Sequence, residues 1–313
     1  MFFRIALTAL ALLFCALLAL SVLALADTRK RIAELETERS LAQTRHGEIE
    51  YVSWGEGPPV LVVHGAGGGF DQGRLLARAI GGDGFRWISV SRFGYLGSAM
   101  LDEASSAAQA EAFVDLLDAM GIERVSILAM SGGVPPSLKF AEMFPERVDR
   151  MMLLSSAPFT PFTPAVEDRP IPTWAYSALL GNDVVYWVMT KVARGQLAEA
   201  FDAHADLREG LSDEEALFVR DLIDTFLPAS RRIDGVNNEG AAVDPAATYD
   251  LEDIRAEVLV VHARDDRLNP FEIGETIEAR VPRSRFLALD RGGHLLLGHH
   301  AELRREFELL LAD

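Results

Sequence analysis

Apolar residues along this chain fall into one long run and a series of short blocks. The long run, Ile5 to Ala26, is 22 residues without a charge. The blocks predict strands near Glu48 to Trp54, Val60 to His64, Trp87 to Ser91, Val125 to Met130, Met151 to Ser155, Val258 to Ala263 and Arg285 to Asp290. Helical spacing fills the intervals, most clearly from Ala104 to Met120, where Phe113, Leu116 and Leu117 share one stripe. Short buried strands alternating with helices predict an α/β fold with a mostly parallel, doubly wound sheet covered on both faces.

The alternation fails over residues 158–253. This segment opens with Pro158, Pro161, Pro164, Pro170 and Pro172, then turns helical and aromatic with Trp174, Tyr176, Tyr186, Trp187, Met189, Phe201, Phe218 and Phe226. It is too long for a structureless loop. It therefore reads as a helical insertion dividing one core into residues 47–157 and 254–313.

At 1.5 Å per helical residue, the N-terminal run matches the ~30 Å hydrocarbon layer of a bilayer. Residues 1–26 are therefore read as a membrane anchor, with a cleaved signal sequence as the alternative because Ala24-Leu25-Ala26 offers a small-x-small site. Cleavage would make the domain secreted or periplasmic. Arg29, Lys30 and Arg31 outweigh Arg4 and favour a cytoplasmic C-terminal side, whereas the cleavage-like triplet points the other way. Residues 27–46, charged with Ile32, Leu35 and Leu41 interspersed, are expected to form a helical stalk.

Candidate chemistry sits where blocks end. Val125 to Met130 stops at Ser131-Gly132-Gly133. A serine at a strand-to-helix corner needs small residues two before and two after it, here Ala129 and Gly133, and the Gly132 N–H can donate to a developing oxyanion. A hydroxyl needs a base, and the base needs an orienting acid. Asp266 follows the strand ending at Ala263, with Asp265 beside it as the alternative acid, and His294 follows the strand ending near Asp290. Upstream, His64-Gly65-Ala66-Gly67-Gly68-Gly69 ends another strand in a glycine-rich loop whose Ala66 or Gly67 N–H would complete an oxyanion hole.

With Ser91-Arg92-Phe93-Gly94-Tyr95-Leu96-Gly97-Ser98, these four motifs, in the order Ser131, Asp266, His294, resemble the α/β-hydrolase superfamily, single-domain and lid-bearing, from about residue 48 to the C-terminus. The resemblance implies a serine hydrolase that needs no cofactor, with residues 158–253 as its lid. In similar hydrolases the acid lies three residues after a small strand-closing residue, which selects Asp266 over Asp265. Asp265 is then expected to be a solvated partner of Arg264 or Arg267. A small or medium apolar ester is the expected partner. Carbon–carbon bond hydrolases and cofactor-free haloperoxidases carry the same triad and remain open, as do a membrane-surface lipase and a non-catalytic binding protein on this fold.

The remaining composition narrows the field. A formal charge of −17 argues against nucleic acid. The only cysteine, Cys15, lies in the apolar run, so the domain has no disulfide. The glycine loop lacks Gly-x-Gly-x-x-Gly, since Phe70 takes the last place, and the next strand ends without an acid. His299 and His300 read as the start of a C-terminal helix rather than metal ligands, His64 as a residue fixing its loop, and His262 as a satisfied core residue.

Overall fold

The computed structural model describes residues 2–160, 162, 181–242 and 247–312. Pro161, Pro164, Pro170, Pro172, Trp174 and Tyr176 lie outside them. Eight strands form one sheet: β1 (Ser40–Thr44), β2 (Gly47–Trp54), β3 (Pro59–Val63), β4 (Arg86–Val90), β5 (Val125–Met130), β6 (Val148–Leu154), β7 (Glu257–Ala263) and β8 (Ser284–Leu289). Their spatial order is β1-β2-β4-β3-β5-β6-β7-β8, with β2 antiparallel to both neighbours, β1 and β4, and every other pairing parallel. The chain leaves β3 for β4 on one side and returns to β5 on the other. The crevice at the carboxyl ends of β3 and β5 is thus a topological switch point.

Alternating side chains fill the two faces of the sheet. Leu61, Val63, Ile127, Ala129, Val258 and Val260 pack with Phe113, Leu117, Leu138, Phe140 and Ile273. These partners come from α3 (Ser106–Ala119), α4 (Val134–Met143) and α10 (Glu272–Arg280). Val60, Val62, Leu128, Leu259 and Val261 face the other way, against Leu76, Ile80, Leu303 and Phe307 of α2 (Phe70–Ile80) and α11 (His300–Ala312). Each fully buried aliphatic side chain contributes roughly 1.5–3 kcal/mol. The continuous apolar blocks of the sequence are these doubly covered strands.

Between β6 and β7 the described helices are α5 (Asp183–Val192), α6 (Arg194–Ala200), α7 (Ala205–Arg208), α8 (Asp213–Thr225) and α9 (Ile233–Ala242). Their apolar faces join the second layer through Tyr186, Leu197, Phe218, Leu222 and Phe226.

The N-terminal helix differs from expectation at its far end. α1 (Phe2–Glu38) is continuous through the apolar run, but residues 40–44 are the edge strand β1, not stalk. A two-residue turn, Arg45-His46, pairs Thr44 with Gly47, whose φ of 90° suits a residue without Cβ. Arg45 clasps Asp115 of α3 at 2.7 Å and holds the turn down.

Candidate active site

β5 is buried along its whole length and delivers Ser131 to the switch point. Ser131 has φ 53°, the left-handed region that a non-glycine residue enters only under constraint. Neighbouring contacts supply that constraint. A Cβ on Gly133 would lie 2.3 Å from the Val63 carbonyl oxygen, and one on Gly65 would lie 3.1 Å from the Ser131 Cβ. Pro135 and Pro136 in the first turn of α4 set its backbone angles where no intrahelical N–H is needed. The Ser131 hydroxyl is not hydrogen-bonded to His294; such contacts commonly tighten only around a bound substrate.

The two nominated donors of the glycine loop differ in their surroundings. The Gly67 N–H is occupied, donating to the Tyr95 hydroxyl at 3.3 Å, and the Phe226 ring covers Gly67 so closely that a Cβ there would sit 2.3 Å from it. Among the described residues no acceptor takes the N–H of Ala66 or Gly132. His64 holds this loop: its Nδ1 donates to the Gly65 carbonyl at 2.7 Å and its Nε2 accepts the Arg92 N–H at 3.0 Å. Burial, with the Arg92 and Arg232 charges adding, pushes the imidazole well below its ordinary range and keeps it neutral.

The Asp266 carboxyl is fully buried and satisfied on both oxygens. Oδ1 accepts the N–H groups of Leu268 and Asn269 at 2.8 and 2.9 Å. Oδ2 accepts from His294 Nδ1 at 2.9 Å and from His262 Nε2 at 3.0 Å. Burial alone would raise this carboxyl, but the bonds from His262 and His294 and the Asn269 N–H hold it well below the carboxylate range. An ionised acid has no proton to give, so His294 carries its proton on Nδ1 and presents Nε2 as an acceptor. Asp265 is also not the solvated partner expected: its Oδ1 accepts the Gly293 N–H at 2.8 Å and fixes the loop before His294.

The family follows from comparison. The family model described as alpha/beta hydrolase fold matches residues 58–301. The chain belongs to the α/β-hydrolase family. This hydrolase is 29% identical over 272 residues to 2-hydroxymuconate semialdehyde hydrolase of Pseudomonas putida, covering 83% of this chain and 89% of that one. It is 26% identical over 276 residues to 2-hydroxy-6-oxo-6-phenylhexa-2,4-dienoate hydrolase of Comamonas testosteroni, covering 85% and 90%. Among solved structures, an alpha/beta hydrolase fold protein from Nakamurella multipartita superposes with a TM-score of 0.77 at 26% identity, over 87% of this chain and 98% of that one.

Three further features of the hydrolase escape sequence reasoning. His262, expected as a plain core residue, bonds the acid; its Nδ1 is buried with no partner among the described residues. Asp202, buried between α6 and α7, places Oδ2 2.8 Å from the His294 N–H and 3.1 Å from the Arg267 N–H. One insertion carboxylate thus holds the backbones of the two loops that carry Asp266 and His294. His204 Nε2 lies 2.8 Å from its other oxygen, off hydrogen-bonding geometry. Finally, Arg92 is buried beside the elbow and paired with Glu239 of α9, which also accepts the Tyr95 hydroxyl at 2.6 Å. A Cβ on Gly132 would meet Glu239 Oε2 at 2.6 Å and Arg92 Nη2 at 3.1 Å, so this charge pair adjoins the nominated Gly132 N–H.

Proposed function

We propose that Ser131, His294 and Asp266 form a nucleophilic triad that hydrolyses a carbon–carbon bond beside a ketone or aldehyde in a conjugated 2-hydroxy-6-oxo-dienoate-type substrate. The observation supporting the triad is the Asp266 Oδ2 to His294 Nδ1 bond of 2.9 Å, in loops following the strands that flank the elbow's side of the sheet. The bond type is argued from the relatives. The substrates in their names contain neither ester nor amide, so water can cleave them only between carbons. Relatives of near-full coverage therefore favour this reading over the apolar ester that the sequence put first.

The chemistry follows from the residues. Ketonisation of the dienol moves its hydroxyl proton to the carbon next to the distal carbonyl. Ser131 Oγ then adds to that carbonyl as His294 Nε2 takes its proton, and the Ala66 and Gly132 N–H groups stabilise the oxyanion. Collapse breaks the carbon–carbon bond. Its electron pair leaves as an enolate conjugated with the proximal ketone and takes the proton from His294. Water, deprotonated by His294, releases the acyl group as a carboxylic acid. Residues 158–253 act as the lid, since Phe226 against Gly67 and Glu239 against Gly132 exclude water from the oxyanion side. We further propose that α1, one helix long and apolar enough to cross a membrane, anchors the enzyme there.

The test is turnover by the purified full chain of 2-hydroxy-6-oxo-6-phenylhexa-2,4-dienoate, followed by loss of its chromophore and release of benzoate, beside p-nitrophenyl butyrate. The expected result is a higher kcat/KM on the dienoate, abolished in Ser131→Ala. Faster cleavage of the ester would restore the esterase reading. A folded protein that turns over neither and resists fluorophosphonate would support a binding protein instead.

A further inference from the structure

The lower part of α1 is not a free stalk, and where it is held bears on how the enzyme sits at a membrane. On one stripe of α1, Ser21 is half-buried while Ala24, Thr28 and Leu35 are buried at 0, 3 and 3% exposure. The spacing of three to four residues is one helix face. This helix packs on α5, and the Trp187 indole N–H donates to Asp27 Oδ2 at 2.9 Å. Further along, Arg31 pairs with buried Asp71 at 2.6 Å, and Asp71 is gripped from the other side by fully buried Arg232. The angle between α1 and the domain is thus set by contacts spread from Ser21 to Leu35.

Depth follows from the register. Asp27 is the first charge after the apolar run, so it marks the edge of the hydrocarbon layer. Ser21 lies six residues deeper, about 9 Å at 1.5 Å per residue. An element held to α1 at Asp27, the edge of that layer, lies at the bilayer surface. The composition of α5 suits that depth. Exposed Lys191 places Nζ 5.1 Å from the ring of buried Trp187, and Val192 is 78% exposed although apolar.

We infer that α5 of the insertion lies in the headgroup layer of a phospholipid surface, so that the lid and the active-site entrance face the membrane. This rests on the proposal that α1 is a membrane anchor. The opposite end of the domain, the amino edge of the sheet near Glu123, then points to water.

The experiment uses the full chain in phosphatidylcholine nanodiscs, with Cys15→Ser as background and a nitroxide on Val192→Cys or on Glu123→Cys. Both sites are exposed and outside the catalytic machinery, and retained dienoate or ester turnover checks folding. Power-saturation measurements compare collision with oxygen, which concentrates in lipid, and with a water-soluble nickel chelate. The expected result is a ratio of oxygen to nickel accessibility several-fold higher at Val192 than at Glu123, falling to the Glu123 value when detergent replaces lipid. Equal ratios at the two sites in nanodiscs would overturn the placement while leaving the anchor intact. Failure of the chain to enter lipid at all would overturn the anchor and the placement together.

Discussion

Asp202 provides a sharp test of how the insertion serves the triad, because one buried oxygen receives two backbone N–H groups from loops on different strands. Hydrogen bonds to a charged acceptor contribute about 1.5–3 kcal/mol each, so Asp202→Ala, which loses two, should cost about 3–6 kcal/mol in stability. Asp202 also has φ 61°, where alanine adds roughly 1 kcal/mol of strain that glycine and asparagine avoid. Asp202→Asn retains an acceptor oxygen and loses only the charge assistance, about 1–2 kcal/mol. The three variants should therefore rank Asn above Gly above Ala in chemical denaturation. Activity should follow placement of the imidazole: a shift of about 1 Å costs on the order of 100-fold in kcat. Asp202→Ala should show that loss with KM nearly unchanged, and Asn should restore most of it. Should the alanine variant lose under about 1 kcal/mol and keep its kcat, the carboxylate does not hold the catalytic loops.

Replacing His262 with Phe keeps the ring volume but removes one donor from Asp266 Oδ2, and at about 1–2 kcal/mol the expected fall in kcat is roughly 5–30-fold. Stopped-flow acylation should show this slowing, and an unchanged rate would mean that His294 alone orients the acid. Glu239→Gln removes a negative charge beside the Gly132 N–H and frees Arg92, so kcat/KM for the anionic dienoate should rise on the order of tenfold relative to a neutral ester. Equal changes on both substrates would refute the charge argument. Stability should also depend on pH with a definite sign. The unfolded chain binds a proton on His64 below about 6.5, which the buried folded residue refuses, so stability is complete above that pH and falls by up to about 1.4 kcal/mol per unit below it. His300, lowered by burial, acts in the same sense, while Glu50, raised by burial, gains stability as pH falls. Urea titrations from pH 7.5 to 5 in a Glu50→Gln background isolate the histidines, and a flat profile there would contradict a neutral buried His64.

What could be read from the sequence was chemistry enforced locally. The block Val125 to Met130 ends as β5 ends because a doubly covered strand, apolar here but for Ser126, stays buried until the chain emerges. The elbow is legible because a crowded corner admits only small neighbours, as the 2.3 Å approach to Gly133 illustrates. By contrast, Ser40 to Thr44 lacks β-branched alternation and follows a helix without a break; its pairing with β2 comes from the turn before Gly47 and from Arg45 on α3. The choice between Ala66 and Gly67 was equally hidden. Both sit in one glycine loop, and it is the Tyr95 hydroxyl, supplied by another motif, that occupies the Gly67 N–H. Asp202 stands 92 residues from the imidazole that it holds, in a segment with no catalytic signature. The proposed triad, read from strand ends, therefore omits the groups bonded to it, because those come from wherever the fold brings a buried carboxylate or imidazole within about 3 Å of it.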